Sequence, residues 1–509
     1  MTGATIREWK LPRIRLRPRR KRKSGTTPVL SGYVGRTFLY RHRILLRSMF
    51  GFFLFIYGVA FTLLGWVFPL PFAVPLIFLA GLVIWALPDT GHIPTRWLEF
   101  LLYSFLISVM AWPDYLAIAL PGLPWITVSR LLGIPLVIIF FLCLSLSREF
   151  RQHVKDVMGA SPWVWKLVVV YAVLSVLSVF YSTSVSMSIS KLIVAILNWI
   201  LVYFISLWVF SRPKRVYYFA ITIWVFVVFN SLIALWEWRL QAPPWAGHIP
   251  SFLKIYSELV KSILAGSARA SDGIYRVQSK FTTPLSLAEL LGCATPIVMY
   301  FVLNGRHILV RLLALTTVTL TAVAIFRTGS RLGLVSLLLT VLLYLLAWSA
   351  LRWRDYKDSI LGPAIVLAYP LIFTLGFAAS FVIGRVRLVI WGGGAQASSN
   401  MARQEQIEMG IPKILSHPWG YGFGRGGYEL GFYSPGGLLT IDNYYLNIAL
   451  DIGIIGLLIY FAMFLAQIIY GARHAAKAQG FETLLIVPFT IALLEFLVIK
   501  AVLAQTETH

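Results

Sequence analysis

Long apolar runs separated by polar connections dominate the pattern of this chain. The runs lie roughly at 49–69, 71–88, 98–119, 126–147, 164–183, 189–210, 214–238, 283–303, 308–326, 330–350, 360–384, 443–470 and 482–502. Runs near or above about 18 apolar residues suit membrane-spanning helices, whereas membrane β-strands give short alternating segments. The pattern therefore predicts an all-α polytopic membrane protein with about 12 to 14 transmembrane helices. A Trp-Pro-Asp sequence at 112–114 is expected to break the third run.

Most connections are short, but two long loops lie near 240–282 and 385–442. The short connections 147–156, 211–215, 304–311, 352–357 and 471–477 are net basic. Cytoplasmic connections carry excess Lys and Arg, so this pattern predicts a cytoplasmic N-terminus and places both long loops on the opposite side. Long loops of this kind usually carry function. Both contain helix-like segments, and residues 250–266 are expected to lie on the membrane surface or to cap the bundle.

Composition agrees with a membrane protein and excludes an ordinary soluble one. The chain of 509 residues is 58% hydrophobic and 13% charged, and its net charge is +25. Residues 1–48 hold 14 Lys or Arg and one Glu, which predicts a basic cytoplasmic tail that contacts anionic lipid rather than nucleic acid. Residues 49–509 are then the membrane domain. Cys143 and Cys293 lie in apolar runs, and their spacing indicates no disulfide framework, metal site or cofactor.

Arginines on the side opposite the basic connections need a separate explanation. Arg276 lies where the first long loop meets the next helix. Farther along, Arg327 and Arg331 flank the Gly turn of FRTGSRLG at 326–333. Guanidinium groups and a helix start both suit a diphosphate. The alternatives are that Arg276 reaches the lipid headgroup layer, and that 326–333 is a capped hairpin whose arginines contact lipid phosphate.

The second long loop holds further candidates. Arg403 begins an amphipathic stretch that runs into HPWGYGFGR at 417–425, whose alternating glycines and aromatics suit a sugar-binding floor. This segment is neither a Walker nor a Rossmann loop. Asp442 precedes the next helix, where it either caps that helix or deprotonates a sugar hydroxyl. A transporter that uses Arg130, Glu289 and Glu495 is a rival interpretation, but no inverted repeat is apparent.

Four parts of the chain resemble the O-antigen polymerase and O-antigen ligase superfamily, of the Wzy and WaaL type. They are a Ser-rich turn at 181–192, RVQSKFTTPLSLAE at 276–289, TGSRLGLVSLLL at 328–339, and the block formed by 403–424 with 442–461. The last block is the most specific, because it fixes glycines, spacing and the re-entry helix together. Ser279 and Leu332 replace family glycines. Asp442 and Asp451 lie where the superfamily often has a histidine and usually a glutamate. The loss of that histidine favours a polymerase over a ligase.

The resemblance implies a GT-C-like membrane glycosyltransferase of the bacterial inner membrane, with its active site on the periplasmic face. Its substrates would be oligosaccharides on undecaprenyl diphosphate, as donor and acceptor, and a chain-length regulator protein is a candidate partner. Transfer would need no metal, because arginines neutralise the departing diphosphate. Diphosphate binding is assigned to Arg276, Arg331 and Arg403. The proton acceptor would be Asp442, with His417 as substitute, and the sugar-binding candidates are Asn443, Tyr444, Tyr421 and Arg425.

Overall fold

The computed structural model describes residues 43–64, 69–85, 87, 89, 93–119, 126–255, 260–261, 264, 275–384, 387, 397–433, 437 and 439–501. The chain divides into two compact units, residues 1–76 and residues 77–509, and the candidate site lies in the second. Most of the predicted basic tail lies outside the described residues. Its separation from a membrane domain at 49–509 therefore stays a prediction.

Almost every described element is a helix. The helices are α1 (Arg43–Leu64), α2 (Pro69–Trp85), α3 (Thr95–Ala111), α4 (Val128–Leu146), α5 (Arg148–Ala160), α6 (Pro162–Ser178), α7 (Val185–Ala195), α8 (Leu201–Phe210), α9 (Arg215–Leu240), α10 (Pro284–Asn304), α11 (Ile308–Arg327), α12 (Arg331–Asp355), α13 (Leu361–Val382), α14 (Ala397–Ser416), α15 (Gly426–Leu430), α16 (Tyr444–Ala475) and α17 (Ile486–Lys500). A π-helical turn, Ile196–Ile200, joins α7 to α8, and 3₁₀ turns lie at Val179–Tyr181 and Thr483–Leu485. The strands β1 (Leu116–Ala117) and β2 (Lys254–Ile255) pair antiparallel.

Ten helical segments among the described residues are long and apolar enough to cross a membrane, and the apolar stretches Gly51–Ala60 and Pro75–Trp85 are shorter. These helices confirm the prediction of an all-α polytopic membrane protein. The expected break near residue 112 is also confirmed, because α3 ends at Ala111 and a turn follows. Part of the predicted surface helix at 250–266 instead forms β2, and most of its second half lies outside the described residues.

Helix α10 is the centre of the second unit. Its apolar window is 72% buried, compared with 6% for α13, and it packs against α9, α11, α12 and α17. Gly292 allows the close approach of α12, since a Cβ there would lie 2.6 Å from Ser336 Oγ. The segment that precedes α10, which carries Arg276, therefore leads into the most buried of the membrane-spanning helices in the described part of the chain.

Helix α16 is interrupted at Gly453, where φ is 78° and ψ is −179°. The segment before α15 supplies the hydrogen bonds that the broken helix lacks. Ile454 N donates to Pro418 O over 3.0 Å, and Tyr421 N donates to Leu450 O over 2.7 Å. Gly420 has a φ of 88°, and a Cβ there would lie 2.6 Å from the Asp451 carbonyl oxygen. These glycines serve close backbone packing.

Basic connections and the candidate site occupy opposite ends of the second unit. At the basic end, Arg215 Nε lies 2.7 Å from Glu99 Oε1, and Arg354 Nη1 donates to Ala476 O over 2.6 Å. The far end of α9, the end of α11 and the start of α12 meet around a cavity. This separation is the one that the charge pattern of the connections predicts.

Candidate functional site

A cavity of about 490 Å³ opens where α9, α11 and α12 meet the segment before α10. Its volume falls within the range of roughly 300–1,000 Å³ that is typical of small-molecule sites. The lining residues are Trp238, Gln241, Tyr275, Arg276, Phe326, Arg327, Gly329, Ser330, Arg331 and Leu334. Three of these residues are arginines, and none of the described lining residues is acidic. The cavity therefore presents a concentrated positive charge, which suits an anion.

The Gly turn between α11 and α12 fixes Arg276. Arg276 Nε donates to Thr328 O over 2.7 Å, and the adjacent Val277 N donates to Arg327 O over 3.3 Å. Gly329 has a φ of 61°, and a Cβ there would lie 3.2 Å from Arg276 Nε. The glycine therefore permits both the left-handed turn and the close approach of the arginine.

We expect Gly329→Ala to weaken both the fold and the cavity. The left-handed conformation costs a residue with a Cβ about 1–2 kcal/mol, and the added methyl would crowd Arg276. Gly247→Ala is the matched control, because Gly247 has a φ of 79° and its Cβ would meet no described atom within 4 Å. Melting temperature should fall in both variants. Affinity for a prenyl diphosphate should fall only in Gly329→Ala, and equal affinities would contradict this role for Gly329.

Arg327 lines the cavity, although the sequence analysis named it beside the Gly turn and did not include it among the three arginines assigned to the diphosphate. Its Cζ lies 3.8 Å from the ring centroid of Trp238, well within cation–π range. Its Nε is buried and has no hydrogen-bond partner among the described residues. The Trp238 indole therefore packs against the Arg327 guanidinium at the cavity wall. The feature of the sequence that points to Arg327 is its position in FRTGSR, close to Arg331.

Glu237 anchors the segment that carries Arg276. Its carboxylate accepts hydrogen bonds from Tyr275 Oη over 2.7 Å and from Ser279 N over 2.6 Å. Ser279 has a φ of 52°, so the position needs the left-handed conformation that favours glycine. Ser279 Oγ also donates to Asn230 Oδ1 over 3.1 Å. These bonds explain how a serine is accommodated at a position where the resembled superfamily has glycine.

Arg403 lies next to the cavity but is not one of its lining residues. Arg331 Nη2 donates to Asn400 Oδ1 over 2.9 Å, and Arg403 follows Asn400 by one turn of α14. Arg403 Nε lies 4.0 Å from Asp442 Oδ2. That distance exceeds a hydrogen bond but is within ion-pair range. A polar path therefore leads from the arginine cavity to Asp442: Arg331 bonds to Asn400, one turn of α14 connects Asn400 to Arg403, and Arg403 lies within ion-pair range of Asp442.

The structure excludes Asp442 as the cap of α16, because Asn443 fills that position. Asn443 Oδ1 accepts hydrogen bonds from Tyr445 N over 2.9 Å and from Leu446 N over 3.2 Å. Asp442 N donates to Gln406 Oε1 over 2.8 Å, which fixes the backbone at this residue. Burial raises the pKa of the Asp442 carboxyl, and Arg403 and Thr440 partly offset that rise. A raised pKa brings a carboxylate closer to the basicity that proton transfer requires.

His417 is not close to this path. It follows the end of α14, and the separation of 13 positions between Arg403 and Ser416 corresponds to roughly 20 Å of helix. Tyr421 Oη pairs with His417 Nδ1 at 2.9 Å, and Arg425 Nη2 lies 2.9 Å from Glu429 Oε1. These three candidates form a separate group around the segment that packs on α16. The structure thus brings Arg276, Arg331, Arg403 and Asp442 together and leaves His417, Tyr421 and Arg425 elsewhere.

Two buried carboxylates lie deeper in the bundle, and both have partners. Glu289 Oε1 lies 2.8 Å from Lys500 Nζ, and Glu495 accepts hydrogen bonds from Ser336 and Thr340 over 2.9 and 2.6 Å. Arg130 is near the start of α4, which packs against α3 and α5. The transporter interpretation needs these charges on one path, and the structure does not bring Arg130 to the two carboxylates.

Part of the chain matches a known protein family. Residues 315–461 match the family model described as O-antigen ligase. The matched segment is similar to the O-antigen ligase family. The match confirms the resemblance to the O-antigen polymerase and ligase superfamily, and it indicates a multi-pass membrane protein of glycosyltransferase type that handles lipid-linked oligosaccharides. No curated protein matches the chain significantly.

The match covers only part of the site. Arg327, Arg331, Arg403 and Asp442 lie inside residues 315–461, whereas Arg276 lies before them. Arg276 joins the matched segment through its hydrogen bond to Thr328 O. The cavity is therefore formed jointly by the matched domain and the segment that precedes it.

Proposed function

We propose that this protein is a polymerase that joins oligosaccharide units carried on undecaprenyl diphosphate into a longer polysaccharide. The observation that supports it most is the cavity with Arg276, Arg327 and Arg331 on its wall and no acid among its described lining residues. A diphosphate supplies several anionic oxygens to such a wall, and arginine forks match phosphate geometry. Phe326 and Leu334 add apolar surface, which suits the start of a polyprenyl chain.

Transfer would proceed in one displacement at the sugar. An acceptor hydroxyl oxygen forms a bond to the anomeric carbon of the donor, and the bond from that carbon to the diphosphate oxygen breaks. The diphosphate leaves with the electron pair, and the arginines stabilise its negative charge. The acceptor proton passes to the Asp442 carboxylate. The path from Arg331 through Asn400 and Arg403 to Asp442 supports this arrangement, because it joins the anion site to the base.

The proposed location is the periplasmic face of the bacterial inner membrane. The basic connections gather at the end of the bundle opposite the cavity, and such connections normally face the cytoplasm. The arginines would then meet lipid-linked donors on the outer side. Donor and acceptor are the proposed partners, together with surrounding lipid and a chain-length regulator protein.

Reconstituted protein supplied with one defined lipid-linked repeat unit tests the proposal. A ladder of products longer than one unit supports a polymerase. Transfer only to an added lipid acceptor indicates the alternative, an O-antigen ligase with the same diphosphate site. Movement of the lipid across vesicles without a new glycosidic bond would overturn the enzymatic proposal.

A further inference from the structure

The Glu289–Lys500 pair joins α10 to α17 at the same end of the bundle as the cavity. Glu289 follows the start of α10, Lys500 ends α17, and their charged atoms lie 2.8 Å apart. Both side chains are almost fully buried, at 9% and 6% relative exposure. A buried ion pair adds little net stability compared with apolar side chains of the same size, and its best-attested use is to fix one arrangement.

Lys500 also contacts the first turn of α16. Its Nζ lies 5.2 Å from the ring centroid of Tyr444, within cation–π range. The next residue, Tyr445, donates its hydroxyl hydrogen bond to the carbonyl oxygen of Leu497 on α17. The end of α17 therefore holds Tyr444 and Tyr445, which directly follow Asp442 and Asn443 in the chain.

Glu289 connects the same ion pair to the arginine side of the site. It lies in the second turn of α10, whose start is capped by Thr283. The segment that leads directly into this cap carries Arg276 and is bonded to Glu237. The pair thus lies between the two parts of the proposed site, one that holds the diphosphate and one that takes the proton.

We propose that Glu289 and Lys500 are positioning residues that set the distance between the arginine cavity and Asp442. This inference rests on the proposed function. Neither side chain needs to touch a substrate. The pair acts by holding α10 and the start of α16 in one register through α17, so that the acceptor hydroxyl, the anomeric carbon and the base are aligned.

Paired substitution tests this role. Glu289→Met with Lys500→Met removes both charges and keeps an apolar filling, so the fold should retain its melting temperature. Small misalignment should lower kcat by roughly tenfold while KM for the lipid-linked donor stays unchanged. Glu289→Asp keeps the charge, shortens the side chain by one methylene and should also lower kcat at constant KM. This second variant keeps the test decisive if the double variant does not fold.

Glu495→Gln is the matched control. Glu495 is a buried carboxylate on α17, the helix that also carries Lys500, and its partners are Ser336 and Thr340. This variant should retain wild-type kcat. Wild-type kcat in Glu289→Asp, or a joint fall of kcat and donor affinity in a double variant that keeps its melting temperature, would overturn the positioning role. Arg276→Lys and Arg331→Lys assayed in parallel separate the two proposals: full activity in both variants would refute the diphosphate site itself.

Discussion

Replacing Arg276 or Arg331 by lysine is expected to lower kcat/KM for the lipid-linked substrate on the order of 100-fold each. Removing one hydrogen-bond donor to an anion that develops in the transition state has an effect of this size. Lysine keeps the charge but loses the planar fork. It also has no Nε, so Arg276→Lys would lose the hydrogen bond to Thr328 O that fixes the side chain. We therefore expect Arg276→Lys to be the more severe of the two. Initial rates of product formation at matched expression in membranes measure the effect.

Arg306→Lys is the control for a general loss of guanidinium groups. Arg306 lies in a basic connection, with its Cζ 5.3 Å from the ring centroid of Phe481, at the end of the bundle away from the cavity. It should retain wild-type kcat/KM. If Arg276→Lys and Arg331→Lys both keep full polymer output at normal expression, the cavity does not bind the leaving group.

Hydropathy was sufficient to predict the class of fold. Apolar runs of membrane-spanning length force helices, because backbone groups in lipid must be satisfied within the segment. The predicted run 308–326 is α11 at Ile308–Arg327, within a residue at its end. The break in helix α16 was harder to predict, because DIGIIG at 451–456 has the pattern of an uninterrupted helix. Its break at Gly453 depends on hydrogen bonds from residues 418–422, and such distant partners leave no local pattern.

The convergence of Arg276 with Arg331 was predictable, because both lie at helix ends on the side opposite the basic connections. The position of Arg327 against Trp238 was not, since it depends on how α9 and α11 pack. The position of His417 was not predictable from the sequence either. It lies close to Arg403 in sequence, but α14 extends between them and separates them by roughly 20 Å. Sequence proximity in a loop gives spatial proximity only when no helix intervenes.

Removing the proposed base should have the largest effect of any single substitution. Asp442→Asn keeps the size of the side chain but cannot accept a proton, and general-base catalysis contributes about 100- to 10,000-fold. We expect kcat to fall on the order of 1,000-fold, while the affinity for prenyl diphosphate stays unchanged, because Asp442 does not line the cavity. Glu408→Gln is the control, since Glu408 is an exposed carboxylate of α14 whose partner is Gln404.

The pH dependence of kcat distinguishes a base from a residue that only holds structure. Burial raises the pKa of Asp442 above that of an ordinary aspartate, and the carboxylate form is the active one. Activity should therefore rise with pH through this raised pKa and be lost on acidification below it. In Asp442→Asn, the residual activity should lose this acidic limb, because no carboxyl titrates at that position. A fully active Asp442→Asn, or an unchanged acidic limb in that variant, would show that another group accepts the proton.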